Sequence, residues 1–457
     1  MSPQSRAIFY SARRALAHHA TGGNVLILAT LLALIVANIP GLNTLYNDFW
    51  SQEMRLQVGD FNIFSHAGHP MTVLQFINDA LMAIFFFNIG LEIKREILVG
   101  ELSSFRQALL PIVAAVGGMV VPVGLFFILA HGSDYTDGAA IPMATDIAFS
   151  LGVIAMLGAR VPLSLKIFLT TLAVVDDIGG IIVIALFYSG HIEVTYLLYA
   201  AIGLAVLVAG GSLLKIQSKM FYFIIGGVVW FLVLNSGIHP TIAGVLVALC
   251  VPATPVYAPG KYIKEIWRNI KNFTEDDDID MHARTILSHE QMDWLKQIES
   301  ASDRVISPLQ DMEDQLHPLV DYLIIPLFAF ANAGIYLLDI NPATIVSGIS
   351  LAIIIGLVVG KFAGILLFSW ITVKLGLAPM PENADWKMLS AISMLGGIGF
   401  TVSLFIADLT FGDGGAEAAV MLSDAKLGIV VGSLISGLGG YFLLRMFLPV
   451  RRDVSGA

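Results

Sequence analysis

From Leu163 to Tyr188 the chain reads LSLKIFLTTLAVVDDIGGIIVIALFY. That is long enough to cross a bilayer, since a helix needs about 20 predominantly apolar residues to span the hydrocarbon. Yet Asp176 and Asp177 sit side by side near its middle. A carboxylate at that depth costs roughly 2.5–3.5 kcal/mol on insertion scales, and two neighbours also repel each other. Nothing in helix packing asks for such a pair, so a purely structural role is the weaker alternative. The stretch reads as a membrane helix carrying a cation or proton site.

The composition agrees. The chain of 457 residues is 56% hydrophobic and 13% charged, against about 25% charged in soluble globular proteins. That places it among polytopic membrane proteins. The formal net charge of −10 argues against nucleic-acid binding, which leaves a basic footprint. Cys250 is the only cysteine, so there is no intramolecular disulfide framework and no cysteine metal site. No cofactor is called for. Residues 1–23 are polar and basic, with Arg6, Arg13 and Arg14, and the apolar run Asn24–Ile39 follows. Without a clear small-residue cleavage site after it, that run reads as an uncleaved first span rather than a signal peptide.

The remaining apolar runs are Val73–Ile97, Ala108–His131, Ala139–Leu157, Leu163–Tyr188, Val194–Leu213 and Met220–Leu234. Ile238–Val251, Leu319–Leu338, Ile345–Val373, Met388–Leu409 and Leu422–Leu448 complete the set. With the first run they predict about twelve transmembrane helices. Ile238–Val251 is short, but charge supports counting it. Twelve spans put the basic residues of both termini, Lys94, Arg95, Arg106, Arg160, Lys166, Lys215, Lys219, Lys374 and Lys387 on one side, and only Arg55 and Lys426 on the other. The positive-inside rule then places both termini in the cytoplasm.

Two connections stand out. In the first, MRLQV (54–58), a Gly59-Asp60 turn and FNIF (61–64) alternate as a small periplasmic β-hairpin would. An isolated hairpin is marginal in water, so a formed one needs something to pack on, such as another subunit. The second, Pro252–His317, is a long cytoplasmic insert with an acidic run at 275–278 and helical patterns at Tyr262–Phe273 and His289–Ile306. It reads as a tolerated insertion.

Helix-breaking chemistry lies at the centre of two spans. Ala139–Leu157 contains PMATD (142–146), and Met388–Leu409 contains GGIG (396–399) followed by Thr401. Each lies in the middle of a three-span group, the third to fifth and the tenth to twelfth. Matched interruptions point to an inverted repeat with two discontinuous helices and a binding site between them. Asp146 falls at the first break, and Lys361 lies near the centre of the tenth span, flanked by Gly356, Gly360 and Gly364 at the spacing of close helix approach. A buried lysine needs an acidic partner, and Asp176, Asp177 and Asp146 are the candidates. With three acids and one base, at least one acid is left to bind something else. Asp79 and Asp408 lie nearer span ends, within reach of water. His239, beside Pro240 at a helix start, reads as structural rather than as a proton relay.

At these residues the chain resembles the NhaA-type bacterial sodium–proton antiporters, an inverted-repeat transporter family. The matching stretches are INDALMAIFFFNIGLEIKREI (77–97), ATDIAFSLGV (144–153), LAVVDDIGGIIVIALFY (172–188) and SGIHPTIAGV (236–245). HPLVDYLIIPLFAFANAGI (317–335), Lys361 in its glycine-rich helix and LGGIGFTVSLFIA (395–407) complete them. The resemblance covers nearly the whole chain, and the long insert is its main departure. It implies an all-α polytopic membrane transporter forming one domain over residues 1–457. Core spans would occupy 108–188 and 345–448, panel and dimer spans 24–97 and 194–338, and the cytoplasmic insert 253–317.

By the same resemblance, Asp176 and Asp177 carry the transported Na+ and the protons, Thr145 and Asp146 line the crossing of the broken helices, and Lys361 balances charge there. The family's pH-sensing cluster maps onto Glu92, Arg95, Glu96, Glu313 and His317, while one of its histidines is Asp314 here. The 54–64 hairpin matches the segment through which the family forms homodimers. The implied activity is pH-regulated, electrogenic exchange of Na+ or Li+ for H+ across the bacterial inner membrane, with the lipid bilayer as surroundings. An intramembrane aspartyl protease is an alternative reading, disfavoured because neighbours on one helix point about 100° apart and a protease dyad must share a proton at about 3 Å. A cation channel or a symporter is another.

Overall fold

The computed structural model describes residues 22–58, 61–62, 64–66, 69–188, 192–255, 259–274, 287–336, 342–346, 348–412 and 414–448. The basic residues of both termini and the acidic run at 275–278 lie outside the described residues, and so does any direct reading of where the termini sit. Within them the chain is overwhelmingly helical. Seven helices are long and apolar enough to cross a bilayer: Val73–Leu98, Gln107–Leu129, Thr136–Leu157, Leu163–Phe187, Val194–Ser212, Gly348–Lys374 and Ala416–Phe447. Two bent pairs, Gly22–Asn38 with Leu42–Trp50 and Trp386–Leu395 with Phe400–Phe411, bring the number to nine if each pair is one span. Two further apolar helices, Lys219–Leu234 and Thr241–Cys250, have 16 and 10 residues, short of the about 20 that span a bilayer unaided. The first bent pair turns through 116° at Gly41, whose φ of 85° suits glycine.

The side chains form two apolar bodies. The larger surrounds the Leu163–Phe187 helix and takes in the helices before it and those from Val320 onward. The smaller is built from Val194–Ser212, Lys219–Leu234, Thr241–Cys250 and the Leu309–Leu316 segment, packed on Phe87 and Leu91. The Val73–Leu98 helix therefore contributes to both. In the larger body the glycine spacing around Lys361 does what it predicts. A Cβ on Gly364 would lie 2.1 Å from the carbonyl oxygen of Gly117, and one on Gly360 would lie 2.7 Å from Cα of Pro122. The helix that carries Lys361 thus lies backbone to backbone against Phe105–Leu129.

Three helices widen into π turns, at Ile77–Leu81, Val320–Ile324 and Gly356–Lys361. Each turn contains one acidic or basic residue, Asp79, Asp321 or Lys361. Such turns break the regular ladder locally and often mark functional positions.

Both predicted breaks are present. The 3-10 segment Thr136–Met143 ends after Pro142, and the chain runs extended through Ala144 and Asp146 before Ile147–Leu157 begins. In the other pair, Trp386–Leu395 stops at Gly396 and Phe400–Phe411 resumes with a bend of 41°. Between residues 52 and 73, Gln57–Val58 pairs antiparallel with Phe61–Asn62 and Ser65–His66 with His69–Pro70. The second ladder lies beyond the stretch whose alternation was legible. Both helical patterns in the insert are helices, Pro259–Thr274 and His289–Asp303, and they pack on each other.

Candidate ion-binding site

The two breaks meet, and polar groups hold them together. The Asp146 N–H donates to Ile398 O at 2.6 Å, and Thr145 Oγ1 donates to Gly396 O at 2.9 Å. Each breaks its own ladder, so each has backbone groups free for the other. Asp146 Oδ1 caps the following helix by accepting from the Phe149 N–H at 2.9 Å. Its Oδ2 reaches across to accept from the Thr401 N–H at 3.0 Å and Thr401 Oγ1 at 2.6 Å. Asp146 is therefore fully engaged as the clasp of the crossing.

Asp176 and Asp177 are both buried, at 1% and 5% exposure, and face different neighbours. Asp176 forms an ion pair with Lys361 Nζ, which is completely buried. Lys361 also donates to Thr145 Oγ1 at 2.7 Å. Three elements thus converge on one ammonium: the acidic helix, the first break and the π turn that delivers Lys361. Removing two charges from water is costly, and only close pairing with further hydrogen bonds offsets it. Thr145 supplies one such bond. The other oxygen of Asp176, Oδ1, is buried with no partner among the described residues.

Asp177 has no hydrogen bond or ion pair among the described residues. It lines a cavity of about 270 Å³ together with Thr145, Asp146 and Thr401 from the crossing. Asn88, Glu92, His317 and Asp321 line the same cavity. One cavity, roomy enough for several waters, therefore links the unpartnered carboxylate to the polar ends of two helices.

The five residues of the predicted pH-sensing cluster divide. Glu92 and His317 line the cavity itself. Arg95, Glu96 and Glu313 form an ion-pair chain beside it, with Arg95 Nε 2.9 Å from Glu313 Oε1 and its guanidinium 2.9 Å from Glu96 Oε1. Glu96 Oε2 also accepts from the Glu101 N–H at 3.0 Å, closing the helix end. His317 Nδ1 lies 3.8 Å from Asp321 Oδ2. That carboxylate raises the imidazole above its ordinary value of 6.5, against partial burial, and Glu92 and Glu313 add to the effect.

Sequence reasoning missed Asp321 and Asn88 in this cavity. Asp321 follows His317 by four residues, the spacing of helix-face neighbours, and that was its only signal. Asp79 and Asp408 are also more engaged than their places near span ends suggest. Asp79 is 8% exposed, with His239 Nε2 3.6 Å from its Oδ1. Asp408 Oδ2 accepts from Asn78 Nδ2 at 2.5 Å, and Asn78 Oδ1 accepts from Asn332 at 2.9 Å. His239 also meets Thr241 Oγ1 at 2.8 Å and packs its ring on Phe405.

This arrangement does not suit a shared-proton protease dyad. Asp176 is committed to Lys361, and Asp177 opens separately onto the cavity. What it offers is a buried carboxylate and hydroxyls on the wall of a small, mostly apolar cavity. Oxygen ligands of that kind suit hard cations and protons alike.

Comparison with known proteins agrees. The family model described as Na+/H+ antiporter 1 matches residues 13–444. The Na(+)/H(+) antiporter NhaA of Phocaeicola vulgatus is 53% identical to this chain, over 96% of each protein. That of Bacteroides fragilis is 52% identical over 94% of this chain and 97% of its own. Na(+)/H(+) antiporter NhaA 2 of Syntrophotalea carbinolica is 43% identical over 93% and 94%. With the match running through both breaks, the acidic pair and Lys361, the chain belongs to the Na+/H+ antiporter 1 family.

Proposed function

We propose that this chain exports Na+, or Li+, in exchange for H+ across the bacterial inner membrane, and that Asp177 is the carboxylate on which the two ions compete. One observation carries this reading: Asp177 alone among the buried site charges is unpartnered among the described residues and opens onto the cavity shared with Thr145, Asp146 and Thr401. A carboxylate binds either a proton or a sodium ion. If the site alternates sides, competition for it is sufficient for exchange. A channel needs no such competition, and a symporter needs both ions bound together.

In this reading Asp176 and Lys361 form the second titrating element, and Asp146 with Thr145 holds the crossing in place while one group of helices rocks against the other. The twelve-span topology with an inverted repeat follows if Lys219–Leu234, Thr241–Cys250 and the helix over residues 319–332 also cross. The core then comprises 108–188 and 345–448, and the panel 24–97 and 194–338. Both termini and the 253–317 insert are cytoplasmic. The paired strands at 57–62 are periplasmic, and residues 54–64 join two copies as a homodimer. Glu92, Arg95, Glu96, Glu313 and His317 set the pH response at the cytoplasmic mouth of the cavity.

The test is sodium-induced pH change inside proteoliposomes, across a range of external pH. Proton movement opposite to an imposed sodium gradient, with a steep pH dependence, is the expected result. Sodium flux without counter-movement of protons points to a channel and overturns the proposal.

A further inference from the structure

The insert contains a helix with two apolar faces, and the described residues cover only one of them. Pro259–Thr274 packs through Tyr262 and Asn269 against its partner His289–Asp303, and both residues are buried. Arg304 adds a cation–π contact on the Tyr262 ring, 5.6 Å from its centre. That accounts for one face. Ile263, Trp267 and Ile270, at spacings of four and three residues, form a second stripe and are 55%, 68% and 45% exposed. Four cations, Lys261, Lys264, Arg268 and Lys271, lie on the solvent side of this stripe, all exposed, against the single acid Glu265 on the helix. Its partner helix carries the opposite balance, with Glu290, Asp293, Glu299 and Asp303 against Lys296.

The ends of the hairpin are fixed close to the membrane. Lys94 Nζ donates to Leu249 O at 2.7 Å and Val251 O at 2.5 Å, closing the end of the Thr241–Cys250 helix. Pro252 O then accepts from the Leu309 N–H at 3.2 Å, so the chain leaves and re-enters at one place. From Val251 to Pro259 there are only eight residues. At about 3.3–3.6 Å per residue that link keeps the start of the first insert helix within about 30 Å of this point, in reach of the bilayer surface.

We propose that Pro259–Thr274 lies on the anionic surface of the bilayer, with Ile263, Trp267 and Ile270 in the headgroup boundary and Lys264, Arg268 and Lys271 against lipid phosphates. The chemistry favours this occupant. A helix with an apolar stripe, a flank of Lys and Arg and an outward Trp is what binds the membrane interface. Anionic lipids attract such basic segments within a Debye length of the surface. The acidic partner helix is turned from the phosphates by the same packing that covers Tyr262. The inference rests on the membrane reading of the chain and is independent of which ion the protein moves.

The experiment uses the full chain with Cys250→Ala, carrying one added cysteine for a nitroxide label: Ile263→Cys, Trp267→Cys, Ile270→Cys or, as a control, Asn272→Cys on the exposed far side. Each is reconstituted in vesicles of phosphatidylcholine alone or mixed with phosphatidylglycerol. Collision rates are read with oxygen, which concentrates in lipid, and with a water-soluble nickel chelate. At 263, 267 and 270, oxygen collisions should dominate in the mixed vesicles, while position 272 should meet the chelate freely. Lys264→Glu, Arg268→Glu and Lys271→Glu together should lower the docking equilibrium by about fivefold per residue, on the order of a hundredfold in all. High salt should act in the same direction. Chelate reaching all four positions equally in the mixed vesicles overturns the proposal. So does protection that ignores lipid charge and disappears when vesicles hold a single copy, since a second protein chain would then be the occupant. Sodium–proton exchange plays no part in the readout, so failure here and failure of the transport reading are separable.

Discussion

Asp176 and Asp177 are neighbours in the chain, and the fold gives them separate chemistry. Their place on a membrane helix was legible because two carboxylates in an apolar run have no packing rationale. Which of them remains free was not legible, since that depends on where Lys361 arrives from a helix 185 residues away. Opposite outcomes follow for the two substitutions. Asp177→Asn removes no hydrogen bond or ion pair, so thermal unfolding in detergent should stay near the parent's while exchange in proteoliposomes is lost. Near-normal exchange by that variant would sink the assignment. Asp176→Asn strands Lys361 as a buried unpaired charge and should cost about 3–5 kcal/mol of stability. His317 supports a third test. Its imidazole stays protonated to higher pH because of Asp321, so their attraction is fully present below 6.5 and fades as pH rises through the raised value. Asp321→Asn removes the largest cause and should move the pH response of exchange to lower pH, leaving the maximum largely intact. A profile that keeps its position while its height falls would make Asp321 structural.

At the scale of elements, the breaks and the glycine spacing were readable for the same reason. Proline and glycine act on backbone conformation, which a sequence states locally. The partner of a close approach is not local, and nothing around Gly360 and Gly364 points to Gly117 and Pro122 as the opposing surface. The π turns were also invisible, because one extra residue per turn leaves no compositional mark. Span counting suffered from the short helices: Thr241–Cys250 has ten residues and depends on its neighbours to reach across, so length alone gives seven to nine spans. The backbone contact at Gly364 yields a sharp expectation. A methyl group there would meet a carbonyl oxygen at 2.1 Å, and backbone cannot swing aside as a side chain does. Gly364→Ala should lose about 1–3 kcal/mol, the usual cost of overpacking. Because this helix positions Lys361, exchange should fall as well. Gly227→Ala, where a methyl group meets nothing within 4 Å, is the matched control and should behave like the parent. Equal melting temperatures for the two variants would remove close packing as the reason for the glycines.

Whether exchange carries net charge is a property of the whole molecule, and the pairing of Asp176 with Lys361 bears on it. Sodium arriving at Asp177 brings a positive charge close to Lys361 and draws both carboxylates toward itself, so the ion pair weakens. If Lys361 then releases its proton toward water, and Asp177 has already released its own, two protons leave for each sodium ion that binds. The cycle then carries net charge, and transport responds to membrane potential as well as to the pH gradient. The double variant Asp176→Asn with Lys361→Gln deletes this second titrating element without leaving an unpaired charge, so it should fold better than either single variant. It should retain exchange through Asp177 while losing net charge movement, and its rate should no longer change when a potential is imposed. Sodium-driven current on a solid-supported membrane, measured beside proton flux in the same preparation, separates the two quantities. Exchange accompanied by a current like the parent's would exclude the Asp176–Lys361 pair as the second proton carrier. The extra charge would then have to travel through another ionisable group on the cavity, and Asp146 and Glu92 are among the acids that line it with Asp177 on the membrane helices.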